Sequence, residues 1–172
     1  VTLVSGNHVS DVSKPSDTID LHIEAWENRI EDGIRSSDVI SDTEKETLVK
    51  ARRGQGKYRK LLLEREHRCR ITGVTKPEHL IASHIKPWRS ATNEERLDPE
   101  NGFMLTPTID HLFDKGFISF ENNGSILLAD VADRDAMQKM SIIGEGAPTN
   151  IGTLRDSQKQ YLDWHRTAIL LI

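Results

Sequence analysis

The chain has little that would tie it together covalently or anchor it in lipid. Its 172 residues include a single cysteine, Cys69. An internal disulfide framework is therefore excluded, as is a zinc site built from four cysteines. One cysteine suits a reducing, cytoplasmic setting. Aromatic residues are scarce, at 5% of the sequence. No apolar run approaches the roughly 18 residues that span a bilayer, and the closing "AILLI" is far shorter, so no membrane partner is expected. The opening "VTLVSGNHVSDVSK" lacks the basic head and apolar core of a secretory signal. A Val at position 1 is consistent with a trimmed or processed chain, or with a region upstream.

Overall positive charge is also missing: the formal net charge is -4. That excludes a uniformly basic nucleic-acid binder, yet the charge is unevenly placed. Residues 1–49 carry four basic residues against eleven acidic ones, whereas residues 50–70, "KARRGQGKYRKLLLEREHRCR", carry nine basic residues against Glu64 and Glu66. The second stretch is either a basic surface for a polyanion or a solvated helix face.

Patterning gives an α+β order. Residues 1–18 are polar and read as a lead-in. Ile23, Trp26, Ile30 and Ile34 follow helical spacing, and the helix should end near Gly33 and Ile34. "SDTE" from Ser41 is a capping box for a helix over about 42–53. "GQG" should break that helix, with a second one from Lys57 to Glu66. "CRITG" reads as a short strand entering a turn, "HLIASHI" and "GFMLTP" as strands, and "TPTIDHLFDKG" as a helix stopped by Gly116. "FISF" and "SILLA" flank "ENNG" as a hairpin, and residues 153–171 form a closing helix. The domain expectation is a lead-in and acidic helix over 1–40, then one domain over 41–172 with its centre at about 69–120.

Three polar residues stand out. His84 ends an apolar strand just before Pro87. Asn101 precedes Gly102 and the next strand. His111 lies on the following helix, with Asp114 at i+3 on a shared face. A core histidine accounts for one of these, not for all three. Phosphodiester hydrolysis needs a base, a cation and fixed geometry; imidazole, with a pKa of about 6.5, suits the first, and imidazole plus carboxylate suits the second. Asn can brace a loop without adding charge. His8, His22, His67, His79 and His165 have no such company and read as surface or packing residues, and Cys69 as a small buried one.

The stretch "LIASHIKPW…RLDPENGFMLTPTIDHLFDKGFISF" resembles the HNH endonuclease family, and within it the restriction-endonuclease-like branch. That branch reads A-x-H-I-x-P, then N-G-x-x-L, then H-x-L-F-D-x-G; here "HLFDKG" is one residue shorter after the histidine. The upstream "RRGQGKYRKLLLEREHRCRITG" resembles the same branch. The resemblance implies a ββα-metal core with flanking helices and an extra hairpin. It also implies a divalent-metal-dependent endonuclease acting on DNA in restriction or host defence. His84 stands at the general base, Asn101 at the middle Asn that orients the active-site loop, and His111 at the metal-binding histidine. Many relatives have Asp before the base; this chain has Ser83, a poor ligand, and Asp114 is the candidate second ligand. One divalent ion is expected, Mg2+ or Mn2+ first, with Zn2+ or Ni2+ as alternatives. Arg53, Gln55, Lys57, Arg59 and Lys86 are candidate DNA contacts, with Tyr58 near them; Pro87 and Trp88 should shape and cover the site. Specificity would lie in an upstream recognition domain or in residues 1–50, and a homodimer is the other partner expected. A toxin nuclease, an inactive DNA-binding module and an RNase are the rival readings.

Overall fold

The computed structural model describes residue 25, residues 28–39 and residues 41–171. The lead-in, Ile23 and Trp26 lie outside the described residues, as do His8 and His22. The chain divides into two compact units, Val1–Lys50 and Ala51–Ile172. In the first, helix α1 is helical over residues 28–36.

Helix α2 runs unbroken over Asp42–Leu63. Its start follows the expected capping box: the Ser41 amide donates to Glu44 Oε2 at 3.0 Å, and the Glu44 amide to Ser41 Oγ at 3.4 Å. The expected break at "GQG" does not occur. Two interior glycines cost about 1 kcal/mol each against alanine, and burial of Tyr58 and Leu62 on the same helix offsets that. Gly54 also lies beside Trp88, whose Cη2 would be 3.4 Å from an added Cβ.

"CRITG" is a closed turn, not a strand. The Cys69 amide donates to Val74 O at 2.9 Å, and the Gly73 amide returns to Cys69 O at 2.8 Å. Cys69 is fully buried, as expected for a small core residue.

Next come strand β1 (Ile81–His84), strand β2 (Gly102–Leu105) and helix α3 (Pro107–Asp114). The strands pair antiparallel in the register Ile81↔Leu105, Ala82↔Met104, Ser83↔Phe103, His84↔Gly102. β3 (Ile118–Phe120) and β4 (Ile126–Leu128) form the hairpin around "ENNG". Helix α4 (Arg134–Lys139), capped by Asp133, was not foreseen, and α5 (Asp156–Ala168) closes the fold. The architecture is α+β, with a β1–β2–α3 centre.

Phe103, Phe113 and Phe120 meet in the core, with ring centroids 5.2–6.1 Å apart. His165 is a packing residue: it stacks on Phe113 at 3.9 Å and bonds Ser119 Oγ and Phe113 O, each at 3.0 Å. Burial pushes its pKa down to about 4.

Gly102 sits opposite His84, and its missing side chain is used. A Cβ there would lie 1.8 Å from the Tyr58 hydroxyl and 2.9 Å from Ser83 O. Gly102→Ala should therefore cost about 1–3 kcal/mol of stability through overpacking, read as a lower urea midpoint. An unchanged midpoint would show that Tyr58 can withdraw without loss.

Candidate active site

The site is built from the end of β1 outward. Tyr58 reaches from α2 over Gly102, and its hydroxyl donates to Asn101 O at 2.8 Å, with Ser83 O at 3.4 Å. Its ring stacks on His84 at 3.8 Å with an interplanar angle of 13°. Trp88 meets the same imidazole edge-on at 5.7 Å. His84 is thus held between two aromatic rings on a strand end.

The third restraint on His84 sets its chemistry. Nε2 lies 3.0 Å from the carbonyl oxygen of Arg96. A carbonyl can only accept, so Nε2 carries the proton and Nδ1 carries the lone pair of the neutral ring. Burial lowers the His84 pKa below the ordinary histidine value; the carbonyl bond partly opposes this, and the Arg96 guanidinium adds to the lowering. The imidazole is therefore neutral at pH 7.

Asn101 is completely buried and acts as a brace. Its Oδ1 accepts from the Lys86 amide at 2.8 Å, and its Nδ2 donates to Lys86 O at 3.2 Å and Glu95 O at 3.0 Å. These bonds close the loop between β1 and β2. The Asn-Gly pair is thus a loop clamp followed by a close strand approach. The turn itself lies just before it, where the Asn101 amide donates to Asp98 O at 3.0 Å.

Helix α3 distributes its polar residues by face. Ile109, Leu112 and Phe113 are buried. At about 100° per residue, His111 falls roughly opposite that apolar face, while Asp110 and Asp114 fall together on one flank. His111 is exposed, its ring 6.5 Å from that of Phe117. Asp114 is exposed and pairs with Lys115 at 3.3 Å. Asp110 is half-buried and hydrogen-bonded to the side chain of Ser83. Burial raises its pKa, Ser83 partly offsets this, the Asp114 charge adds to the rise, and His111 opposes it. Among the described residues, no three His, Cys, Asp or Glu side chains are grouped to hold a metal ion. The rings of His84 and His111 are not in contact among those residues; each packs on different aromatic neighbours.

Sequence reasoning passed over Asp110. The signal was present: H-x-L-F-D places its first residue four before the Asp, and the residue four before Asp114 is Asp110, not His111.

The expected DNA contacts separate into two groups. Arg53, Gln55 and Lys57 are exposed on α2. Arg59 and Lys86 hold the fold: Arg59 donates to Leu80 O at 2.7 Å and Pro77 O at 2.6 Å, and Lys86 Nζ bonds both Glu95 oxygens at 2.7–2.8 Å. An open groove of about 520 Å3 runs from Pro87, Trp88 and Arg89 past Asp114 and Lys115 to Ile169 and Leu171.

A His on the first strand, an Asn closing the loop and a polar helix flank are the layout of a ββα nuclease centre. Residues 69–121 match the model of the HNH endonuclease family. The matched segment is thus similar to an endonuclease domain. No curated protein matches the chain. No helix among the described residues is long and apolar enough to cross a membrane.

Proposed function

We propose that the protein is a divalent-metal-dependent endonuclease that cleaves DNA, with His84 as its general base. The observation that carries this reading is the His84 Nε2 bond to the Arg96 carbonyl, which leaves a neutral ring with its lone pair on Nδ1. Such a ring accepts a proton from an attacking water. Asn101 fixes the loop that supplies the carbonyl. Arg53, Gln55 and Lys57 would contact flanking phosphates, so affinity should fall steeply with salt.

The donors near β1 fit a hard cation. Asp110 and Asp114 offer two carboxylates on one helix flank, with His111 beside them. Mg2+ and Mn2+ are commonly held by one or two carboxylates, with water and substrate phosphate completing the shell. Zinc in a closed four-ligand cage does not suit this set. We assign Asp110 and Asp114 as the residues that would hold the ion, with His111 as a further donor. The ion would supply charge neutralisation at the scissile phosphate. Ser83 would orient Asp110 through its hydroxyl. Because Ser83 and His84 are consecutive, ligand and base are tied to adjacent residues of one strand. A role in restriction or host defence, in a cytoplasmic setting, follows from the branch the motifs resemble.

Nicking of supercoiled plasmid with Mg2+ or Mn2+, against excess chelator, tests the reading. Cleavage should need the ion, should be lost in Asp110→Asn, and should favour DNA over RNA of the same sequence. Equal cleavage in chelator would refute metal dependence. The lack of a three-ligand group among the described residues favours one rival, a binding module without chemistry. Salt-sensitive DNA binding with no nicking under any divalent ion would establish that rival.

A further inference from the structure

The β1–β2 loop has to hold one carbonyl still against His84, and, beside the Asn101 clamp and the Thr92–Glu95 bonds, the side chain of the same residue ties it down. Arg96 folds back along the loop. Its Nε donates to Trp88 O at 3.0 Å, its guanidinium carbon lies 4.8 Å from the centre of the Trp88 ring, and NH1 donates to Asn93 Oδ1 at 3.2 Å. Its own amide bonds Thr92 O at 2.9 Å. The neighbouring carbonyl, that of Glu95, is clamped by Asn101. Trp88, the anchor for the guanidinium, is the same ring that meets His84 edge-on. Arg96, Trp88 and His84 therefore close a small circuit: side chain to ring, ring to imidazole, imidazole to the Arg96 carbonyl.

We propose that Arg96 is a positioning residue, whose fold onto Trp88 holds its own backbone carbonyl against His84 Nε2 and thereby selects the tautomer with Nδ1 unprotonated. The inference rests on His84 acting as the base. An exposed Arg in a nuclease would ordinarily be assigned to phosphate binding. Arg96 is half-buried, and its guanidinium is already engaged by a carbonyl, an amide oxygen and an indole face. Planarity matters here, because a guanidinium can stack and donate from one edge at once, whereas an ammonium cannot.

The test uses the full chain and two variants, Arg96→Ala and Arg96→Lys. Imidazole 15N–1H correlation spectra of the protein without DNA read the tautomer directly. Wild type should show His84 as the Nε2–H form, and both variants should show a mixture of the two forms. The cleavage rate at saturating DNA should fall about 10–100-fold, the range for loss of a group that orients a functional histidine, while KM stays unchanged. If Arg96→Ala does not fold, Arg96→Lys carries the same readings. The proposal is overturned if the tautomer is unchanged in both variants. It is equally overturned if KM rises at constant kcat, which would make Arg96 a phosphate contact, or if Arg96→Lys restores wild-type behaviour. Should wild type fail to cut any DNA, the nuclease reading falls, while the tautomer spectra still decide the structural claim.

Discussion

Replacing His84 with alanine should lower the single-turnover rate of plasmid cleavage by about 10²–10⁴-fold, the usual contribution of a positioned general base. DNA affinity should change little, because the phosphate contacts proposed above lie on α2. The wild-type pH profile should carry the same signature. The His84 pKa is lowered, chiefly by burial between Tyr58 and Trp88. The ring therefore stays neutral below the ordinary histidine midpoint of about 6.5, and activity should persist there. It should be lost only as pH falls through the lowered value, when the ring takes a proton. An acid limb centred at or above 6.5, or a His84→Ala protein that cuts normally, would remove His84 from the chemistry.

The largest effect on stability is expected at Glu66, 4% exposed just beyond α2. One carboxylate there accepts four bonds: from Arg70 Nε and NH2, each at 2.7 Å, from Arg155 NH2 at 3.0 Å and from Gln158 Nε2 at 3.1 Å. Arg155 also binds Glu100 at 2.6 Å, where Ser157 joins at 2.8 Å. The cluster joins the end of α2, the Cys69 turn, the β1–β2 loop and the start of α5. Glu66→Ala removes the only carboxylate paired with Arg70 among the described residues, leaves Arg155 with Glu100 alone, and leaves the buried Gln158 amide with one long bond, to Gly102 O at 3.4 Å. Removing one partner of a buried pair costs about 3–5 kcal/mol, to be measured by urea unfolding. A loss below about 1 kcal/mol, the scale of exposed pairs, would show that water replaces the carboxylate without penalty.

Much of the centre was legible because short-range chemistry decides it. The apolar run into His84 stops where Pro87 removes an amide donor. "TPTIDHLFDKG" carries its helix start and its glycine stop, and Gly116 does adopt a φ of 75°. "ENNG" makes the hairpin. What was illegible depended on contacts distant in sequence. The glycines of α2 are tolerated because Trp88, Tyr58 and Leu62 reward a straight helix. The Cys69 turn closes on itself instead of pairing. α4 is six residues long and polar, below what periodicity resolves. The choice between Asp110 and His111 is the instructive case. The i, i+3 spacing of His111 and Asp114 can be read from the sequence, but the inward direction of α3 is set by Ile109, Leu112 and Phe113, which leave His111 exposed.

The Asn101–Gly102 pair has a chemical consequence beyond the site. In a loose chain this dipeptide is the one most prone to deamidation, because the glycine nitrogen swings round to attack the side-chain carbonyl and closes a succinimide ring. Here that carbonyl is occupied by the Lys86 amide, and the glycine is fixed in a strand under the Tyr58 hydroxyl. The native state thus shields a bond that ages quickly elsewhere. Each excursion to the unfolded form exposes it, and conversion to aspartate would place a negative charge inside the clamp, so that damage at this one bond prevents the loop from closing again.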